Sequence, residues 1–301
     1  MRRRSAQEAP AETTTNQATS PPRDPLVVTN GRCQPVNLEG IWRGCSAFLL
    51  LGGPSLNDHP KEVFRERGVL SMAVNNTAAH RQSNAFVAAD PPQKFCESIF
   101  FDPRMLVFLP ESKRNDSRGR LRIKQDGKFS WSPVSVLDTP STFFFARNAE
   151  FNPATFLTTP EASWGTNKKG HEKTGRRRLL FTPFLALRLL HYLGIREVFC
   201  CGLDFNMTTE AGYAFNQERD EDAVASNWSL YKAANEELAV LRPHLDSAGF
   251  RVYNVNAKSG CHVFDYVPFD KALERVRGAV LKEPEDGYNL SGWYTKNHVD
   301  E

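Results

Sequence analysis

Five apolar residues in succession, Ala47-Phe48-Leu49-Leu50-Leu51, run straight into Gly52-Gly53-Pro54-Ser55. A run that is apolar on both faces and too short for a helix predicts a strand covered on both sides. The glycines predict a sharp turn whose backbone can approach a ligand closely. Ser55, Asn57 and Asp58 are N-cap residue types and Pro60 suits a first helical turn. Residues 57–67 therefore read as a helix that Gly68 ends. Strand, glycine turn and helix N-terminus together aim backbone N–H groups at a phosphate. The pattern recurs downstream. A strand is predicted over 69–74, followed by Asn75-Asn76, another over 85–89, followed by Asp90, and another over 105–109, stopped by Pro110. Residues 181–193 form an apolar helix with Thr182 and Pro183 at its start. Residues 197–201 form a buried strand that ends in Gly202-Leu203-Asp204. A long helix over 228–247, a strand over 250–255 and a closing helix over 267–277 follow. Residues 26–28 suggest a short edge strand, and Phe143-Phe144-Phe145 a strand or core segment.

Strands alternating with helical segments predict an α/β fold, a Rossmann-like doubly wound and mostly parallel sheet. In such sheets the ligand lies at the carboxyl ends of the strands. That rule collects Gly52, Gly53, Pro54, Ser55, Asn75, Asp90 and Gly202 as nucleotide-binding candidates, and Thr182, at the start of the apolar helix, joins them. Asn or Asp at one strand end is an ordinary turn former. Ligand-type residues at three successive strand ends shift the balance toward a site.

Composition narrows the picture. The 301 residues, 40% of them hydrophobic, suffice for one large α/β domain or two small ones. We expect a single domain over 25–282, with a disordered tail over 1–24 and a flexible tail over 283–301. A net charge of +3 permits a polyanionic partner without demanding one. None of the six cysteines lies in a CxxC pair, which argues against a zinc ribbon and for a reducing cytoplasm. No apolar run is long enough for a membrane span, and no apolar region follows the basic start, so a secretory signal is not expected. Residues 111–178 read as an irregular insertion. Within it, residues 164–178 carry six Lys or Arg and three glycines. That stretch reads equally as a solvated surface loop or as a lid, with Lys168, Lys169 and Arg176 on phosphate or on a nucleic-acid backbone.

The ordered set of motifs resembles a known superfamily. Leu51-Gly52-Gly53-Pro54-Ser55-Leu56 resembles the GxGPSL turn of bacterial lipooligosaccharide sialyltransferases. Motility-accessory-factor proteins and archaeal 6-hydroxymethylpterin diphosphokinases share that turn. Asn75 is similar to the second-strand Asn that the sialyltransferases use on the nucleotide. Asp90-Pro91 sits where they carry Asn-Pro and where the diphosphokinase-like proteins carry Asp. The run from Tyr192 to Phe205, then Tyr213-Ala214-Phe215, then Val252-Tyr253-Asn254 with Ser259, resembles the later motifs in order. The resemblance spans about residues 46–275. It implies a nucleotide-dependent transferase. In the sialyltransferases the donor is a cytidine monophosphate sugar, no metal is needed, tyrosines stabilise the leaving phosphate and a histidine is the base. Tyr213 matches one such tyrosine. Asn206 stands where the other falls, Gly52 replaces an Asn of the turn, and no histidine lies in 223–234, where the base would be.

Sugar transfer needs stabilisation of the departing phosphate and a base for the acceptor hydroxyl. For the first task the sequence offers Asp90 and Asp204 on a magnesium ion, or the basic stretch together with Tyr213. For the second it offers His171, His262, Asp90 or Asp204. The expected activity is that of a glycosyltransferase with a nucleotide-sugar donor, acting on a glycan or on a hydroxymethylated base in DNA. A magnesium-dependent diphosphokinase of the 6-hydroxymethylpterin type and a non-catalytic nucleotide- or nucleic-acid-binding module are the alternatives. Oligomeric state is not legible.

Overall fold

The computed structural model describes residues 26–118, 120–125, 128–147, 151–160, 181–208, 212–216 and 221–278. The two expected tails and the basic stretch 164–178 lie outside these residues. The strands are β1 (Val28–Asn30), β2 (Ser46–Leu50), β3 (Ser71–Val74), β4 (Ala85–Val87), β5 (Leu106–Pro110), β6 (Arg120–Gln125), β7 (Lys128–Ser135), β8 (Thr142–Phe145), β9 (Glu197–Cys201), β10 (Arg251–Asn254) and β11 (Asp265–Tyr266). Nine of them form one sheet in the order β1-β8-β5-β4-β3-β2-β9-β10-β11. All neighbours pair parallel except β1, which closes one edge antiparallel to β8. The chain starts the parallel core at β2, steps outward through β3, β4 and β5, and returns to lay β9 on the other side of β2. The order therefore reverses between β2 and β9, where a doubly wound sheet opens its crevice.

Side-chain alternation explains why the sheet is covered twice. Ala47, Leu49, Met72, Val74, Val198 and Cys200 point to one face. There they meet helices α4 (Thr182–Tyr192) and α5 (Glu221–Ser247), which follow the short helices α1 (Thr77–His80), α2 (Ser98–Phe101) and α3 (Arg114–Arg118) in the chain. Phe48, Leu50, Ala73, Phe199 and Cys201 point to the other face, under α6 (Phe269–Gly278). Leu189 and Leu190 of α4 and Leu238, Leu241 and Leu245 of α5 are fully or almost fully buried. No helix among the described residues is long and apolar enough to cross a membrane.

The sheet and the three long helices match the expected pattern, with helix α5 starting earlier, at Glu221, and running through Pro243. Two segments differ. The helix expected over 57–67 is two short 3-10 turns, Pro54–Asp58 and Lys61–Arg65. Pro60 lies between them as an extended residue, and the apolar Leu56, Val63 and Phe64 bury one by one instead of forming a helical stripe. The irregular stretch after 111 contains the β6–β7 hairpin, which stands apart from the main sheet, and then β8 within that sheet. The sequence between β6 and β7 is Asp126-Gly127, a dipeptide type favoured in two-residue hairpin connections.

All six cysteines are free thiols. Burial pushes the Cys200 and Cys201 thiols up and raises Cys261 to about 11, so these three behave as core residues.

Two measurements test this framework. Gly202 sits at φ +76, and an added Cβ would lie 2.4 Å from the Leu51 carbonyl oxygen. Gly202→Ala should therefore lower the unfolding free energy by about 2 kcal/mol or more in urea titration. His59 stacks on Phe269 at 4.1 Å between ring centroids. Burial lowers its pKa below 6.5, so the unfolded chain binds the proton more readily than the folded one. Stability is then intact above the ordinary histidine range and falls as pH drops through the depressed folded value. The urea midpoint should decline from about pH 7 to about pH 5, and His59→Phe should shrink that decline.

Candidate functional site

The carboxyl ends of β2, β3, β4 and β9 open onto a cleft of about 530 Å³. That volume lies in the range of small-molecule sites. Its floor is organised by Asp204, which is 5% exposed. One carboxylate oxygen of Asp204 accepts the Ser55 N–H at 2.8 Å. The other accepts the Ser55 hydroxyl and, at 2.8 Å, the Asn256 side-chain amide. The aspartate following β9 thus binds the turn following β2 to the loop following β10. Glycine is required at 53, because a Cβ there would lie 2.6 Å from this carboxylate.

The glycine turn is consequently not a helix N-terminus aimed at an anion. The N–H groups of Leu51, Gly53 and Leu56 go to the carbonyls of Cys201, Gly202 and Gly53, and that of Ser55 to Asp204. Among the turn's donors this leaves Gly52 N–H for a ligand. Gly52 also makes room for Tyr213, whose ring edge would lie 3.1 Å from an added Cβ. The Tyr213 segment is pinned here: Ala214 N–H donates to Gly52 O at 2.9 Å, and Asn57 donates to Ala214 O at 2.8 Å. Behind it, Tyr213 stacks on Phe215 and Phe215 on His80, with centroids 5.3 and 4.4 Å apart.

Two non-glycine residues on the cleft adopt left-handed backbone, Asn75 at φ 53 and Phe205 at φ 49. Asparagine tolerates this region, while an aromatic residue pays for it with about 1–3 kcal/mol of strain. The neighbouring backbone is held by its surroundings. Leu203 O accepts from Asn254 and Ser259, and Asp204 O accepts from Gly260 N–H at 2.7 Å. The Phe205 ring then stacks on Tyr231 of α5 at 5.0 Å and meets Phe181 edge-on at 5.3 Å. On the opposite side, the Asn75 side-chain oxygen is buried without a hydrogen-bond partner. A buried, unsatisfied acceptor costs about 1–3 kcal/mol, and a ligand donor would recover it.

Gly52, Gly53, Asn75, Asp90, Thr182, Gly202, Asp204 and Tyr213 all line this one cleft. Pro54 and Ser55 do not. They begin the 3-10 turn, and Ser55 acts through Asp204. His262 is exposed and does not line the cleft. Lys168, Lys169, His171 and Arg176 lie outside the described residues. Asp90 and Asp204 both face the cleft; both oxygens of Asp204 are engaged, by Ser55 and Asn256, while Asp90 has one oxygen on Lys94 at 3.0 Å. Among the described residues no cluster of three or more His, Cys, Asp or Glu side chains is arranged to hold a metal.

Sequence reasoning missed Lys94, Phe181, Phe205 and the α5 pair Asn227 and Tyr231 as cleft residues. Lys94 carried a signal, four residues after Asp90. Asn227 and Tyr231 also sit one helical turn apart, but the polar start of α5 hid that face.

No family model matches the chain. No curated protein matches it in sequence. Among solved structures the chain is similar to the sialyltransferase CstII from Campylobacter jejuni in complex with cytidine-5'-monophosphate, with 11% identity, TM-score 0.39, 82% of this chain covered and 97% of that one. The same sialyltransferase in complex with CMP-3FNeuAc gives 11% identity, TM-score 0.41 and coverage of 82% and 98%.

Removing the carboxylate at the centre of the floor should loosen three loops together. Asp204→Ala is expected to cost about 3 kcal/mol in urea unfolding, and Asp204→Asn clearly less, since an amide oxygen still accepts from Ser55. Equal, small effects from both variants would show that the carboxylate does not organise the floor.

Proposed function

We propose that the cleft binds a nucleotide sugar and that the protein is a glycosyltransferase. The observation that carries this reading is Asn75, a left-handed residue at a strand end of the switch-point crevice, with a buried side-chain oxygen awaiting a donor. Such an oxygen suits the exocyclic amine or ring N–H of a nucleobase. The aromatic wall of Phe181, Phe205 and Tyr231 suits the flat faces of a base and a sugar.

In this reading the bond from the sugar's anomeric carbon to the phosphate oxygen breaks as the acceptor oxygen bonds to that carbon. The departing phosphate keeps the electron pair of the broken bond, and the acceptor hydroxyl gives its proton to a base. In this reading Gly52 and Tyr213, which both line the cleft, act on the departing charge. Lys94 is the cation among the cleft's described residues, and Asp90 shares it. Lys168, Lys169 and Arg176, which precede Phe181 in the chain, supply the remaining counter-charge. Among the described candidates Asp90 serves as the base in this reading, because Asp204 is committed to the floor and His262 is off the cleft. The engaged oxygens of Asp204 favour chemistry without a magnesium ion over the diphosphokinase reading. The acceptor is a hydroxyl-bearing glycan or a hydroxymethylated DNA base.

Thermal shift with a panel of nucleotides and nucleotide sugars, each with magnesium and with a chelator, tests the proposal. At least one nucleotide sugar should raise the melting temperature equally in both conditions. Asn75→Gly should weaken that ligand at least about tenfold, the scale of one buried hydrogen bond, while keeping the unliganded melting temperature, since glycine accepts φ 53 without strain. A panel with no response, or a response only with magnesium, sinks this reading.

A further inference from the structure

Arg81, directly after α1, is 3% exposed. Its Nη1 donates to His80 O at 3.1 Å, and its Nη2 donates to Leu56 O at 3.3 Å and to the Asn57 side-chain oxygen at 2.8 Å. Its Nε is buried without a partner. Among the described residues no carboxylate pairs with it, and Glu62 attracts it only at longer range. A guanidinium buried on neutral acceptors, with one donor unspent, is costly. What it holds in place is the turn after β2, through Leu56 and Asn57.

Asn57 uses both ends of its amide. The oxygen accepts from Arg81, and the N–H donates to Ala214 O at 2.8 Å. A guanidinium only donates, so it holds the amide in the one orientation that aims its N–H at Ala214. Ala214 N–H in turn donates to Gly52 O at 2.9 Å, so both backbone groups of Ala214 are fastened to the turn. His80 adds a second hold, its ring stacked on Phe215 with centroids 4.4 Å and planes 4° apart. Tyr213 and Phe215, on either side of Ala214, line the cleft, whereas Asn57, His80 and Arg81 do not. The end of α1 therefore fastens a cleft segment from behind.

We propose that Arg81 is a positioning residue, acting through Asn57 to place Tyr213 on the cleft. The consequence for turnover rests on the nucleotide-sugar reading, in which Tyr213 acts on the departing charge; the placement itself does not. A displacement of about 1 Å at such a group costs on the order of 100-fold in rate.

Asn57→Asp separates positioning from charge balance. An aspartate still accepts from Arg81 and adds a counter-charge, but it cannot donate to Ala214 O. Asn57→Ala loses both bonds. Each full-length variant is isotopically labelled at its tyrosine rings, with the Tyr213 resonance identified by its loss in Tyr213→Phe, and exchange of the Ala214 N–H is followed alongside. Asn57→Asp should keep the wild-type melting temperature or exceed it. Yet in both variants the Tyr213 resonance should shift and Ala214 exchange should accelerate at least about tenfold. Arg81→Lys, which keeps the charge without the fork, should move both readouts in the same direction. With a nucleotide sugar that raises the melting temperature of the wild type, kcat of Asn57→Asp should fall at least about tenfold while KM changes by less than about twofold. A Tyr213 resonance that stays in place, or an exchange rate that does not change, in Asn57→Asp overturns the proposal. So does a displaced Tyr213 with undiminished turnover. If no nucleotide sugar binds, the nucleotide-sugar reading fails, and the resonance and the exchange rate still decide the placement.

Discussion

The cleft depends on a single buried carboxylate. Asp204 leaves β9 at the point where the sheet order reverses, and it binds Ser55 from one neighbouring strand end and Asn256 from another. A carboxylate in so little water is tolerable only when its oxygens are saturated by donors, and here the backbone, a hydroxyl and an amide share that task. The constraint propagates. Gly53 must be glycine to let the carboxylate in, Gly202 must be glycine to bring the two turns together, and the carbonyls around Asp204 are held by Asn254, Ser259 and Gly260.

This arrangement changes what the glycine turn is for. In a phosphate-binding loop the N–H groups converge on a ligand. Here most of them converge on protein acceptors, and a side-chain carboxylate occupies the place an external anion would take. Apart from the Gly52 N–H, the floor of the cleft is therefore internally satisfied. The remaining open chemistry of the cleft lies on its walls: the unpartnered acceptor of Asn75 on one side, and the rings of Phe205, Phe181 and Tyr231 on the other.

The sheet was legible because buried parallel strands are short continuous apolar runs, and β2 and β9 are covered on both faces. The strand ends were legible for the same reason, since Gly52, Asn75, Asp90 and Gly202 each follow such a run. Cap residues misled over 57–67. Ser55, Asn57 and Asp58 are helix-starting types, yet two of these side chains are spent on distant segments: Ser55 holds Asp204 and Asn57 holds Ala214. The hairpin at 120–135 carried its signal in Asp126-Gly127, set among charged residues that read as loop. The aromatic wall was hidden for a different reason. Phe205 and Tyr231 are brought together by tertiary packing across 26 residues of chain, and no local period records that.

Asn75 directly follows β3 and Phe205 lies four residues after β9, the two strands that flank β2, and both adopt a backbone region that most side chains avoid. A substitution that relaxes Phe205 would gain stability, and it would do so on the wall of the cleft. A lineage pressed toward higher temperature would have to find its gains elsewhere, in the hairpin or on the outer helices, or reshape that wall as it warmed.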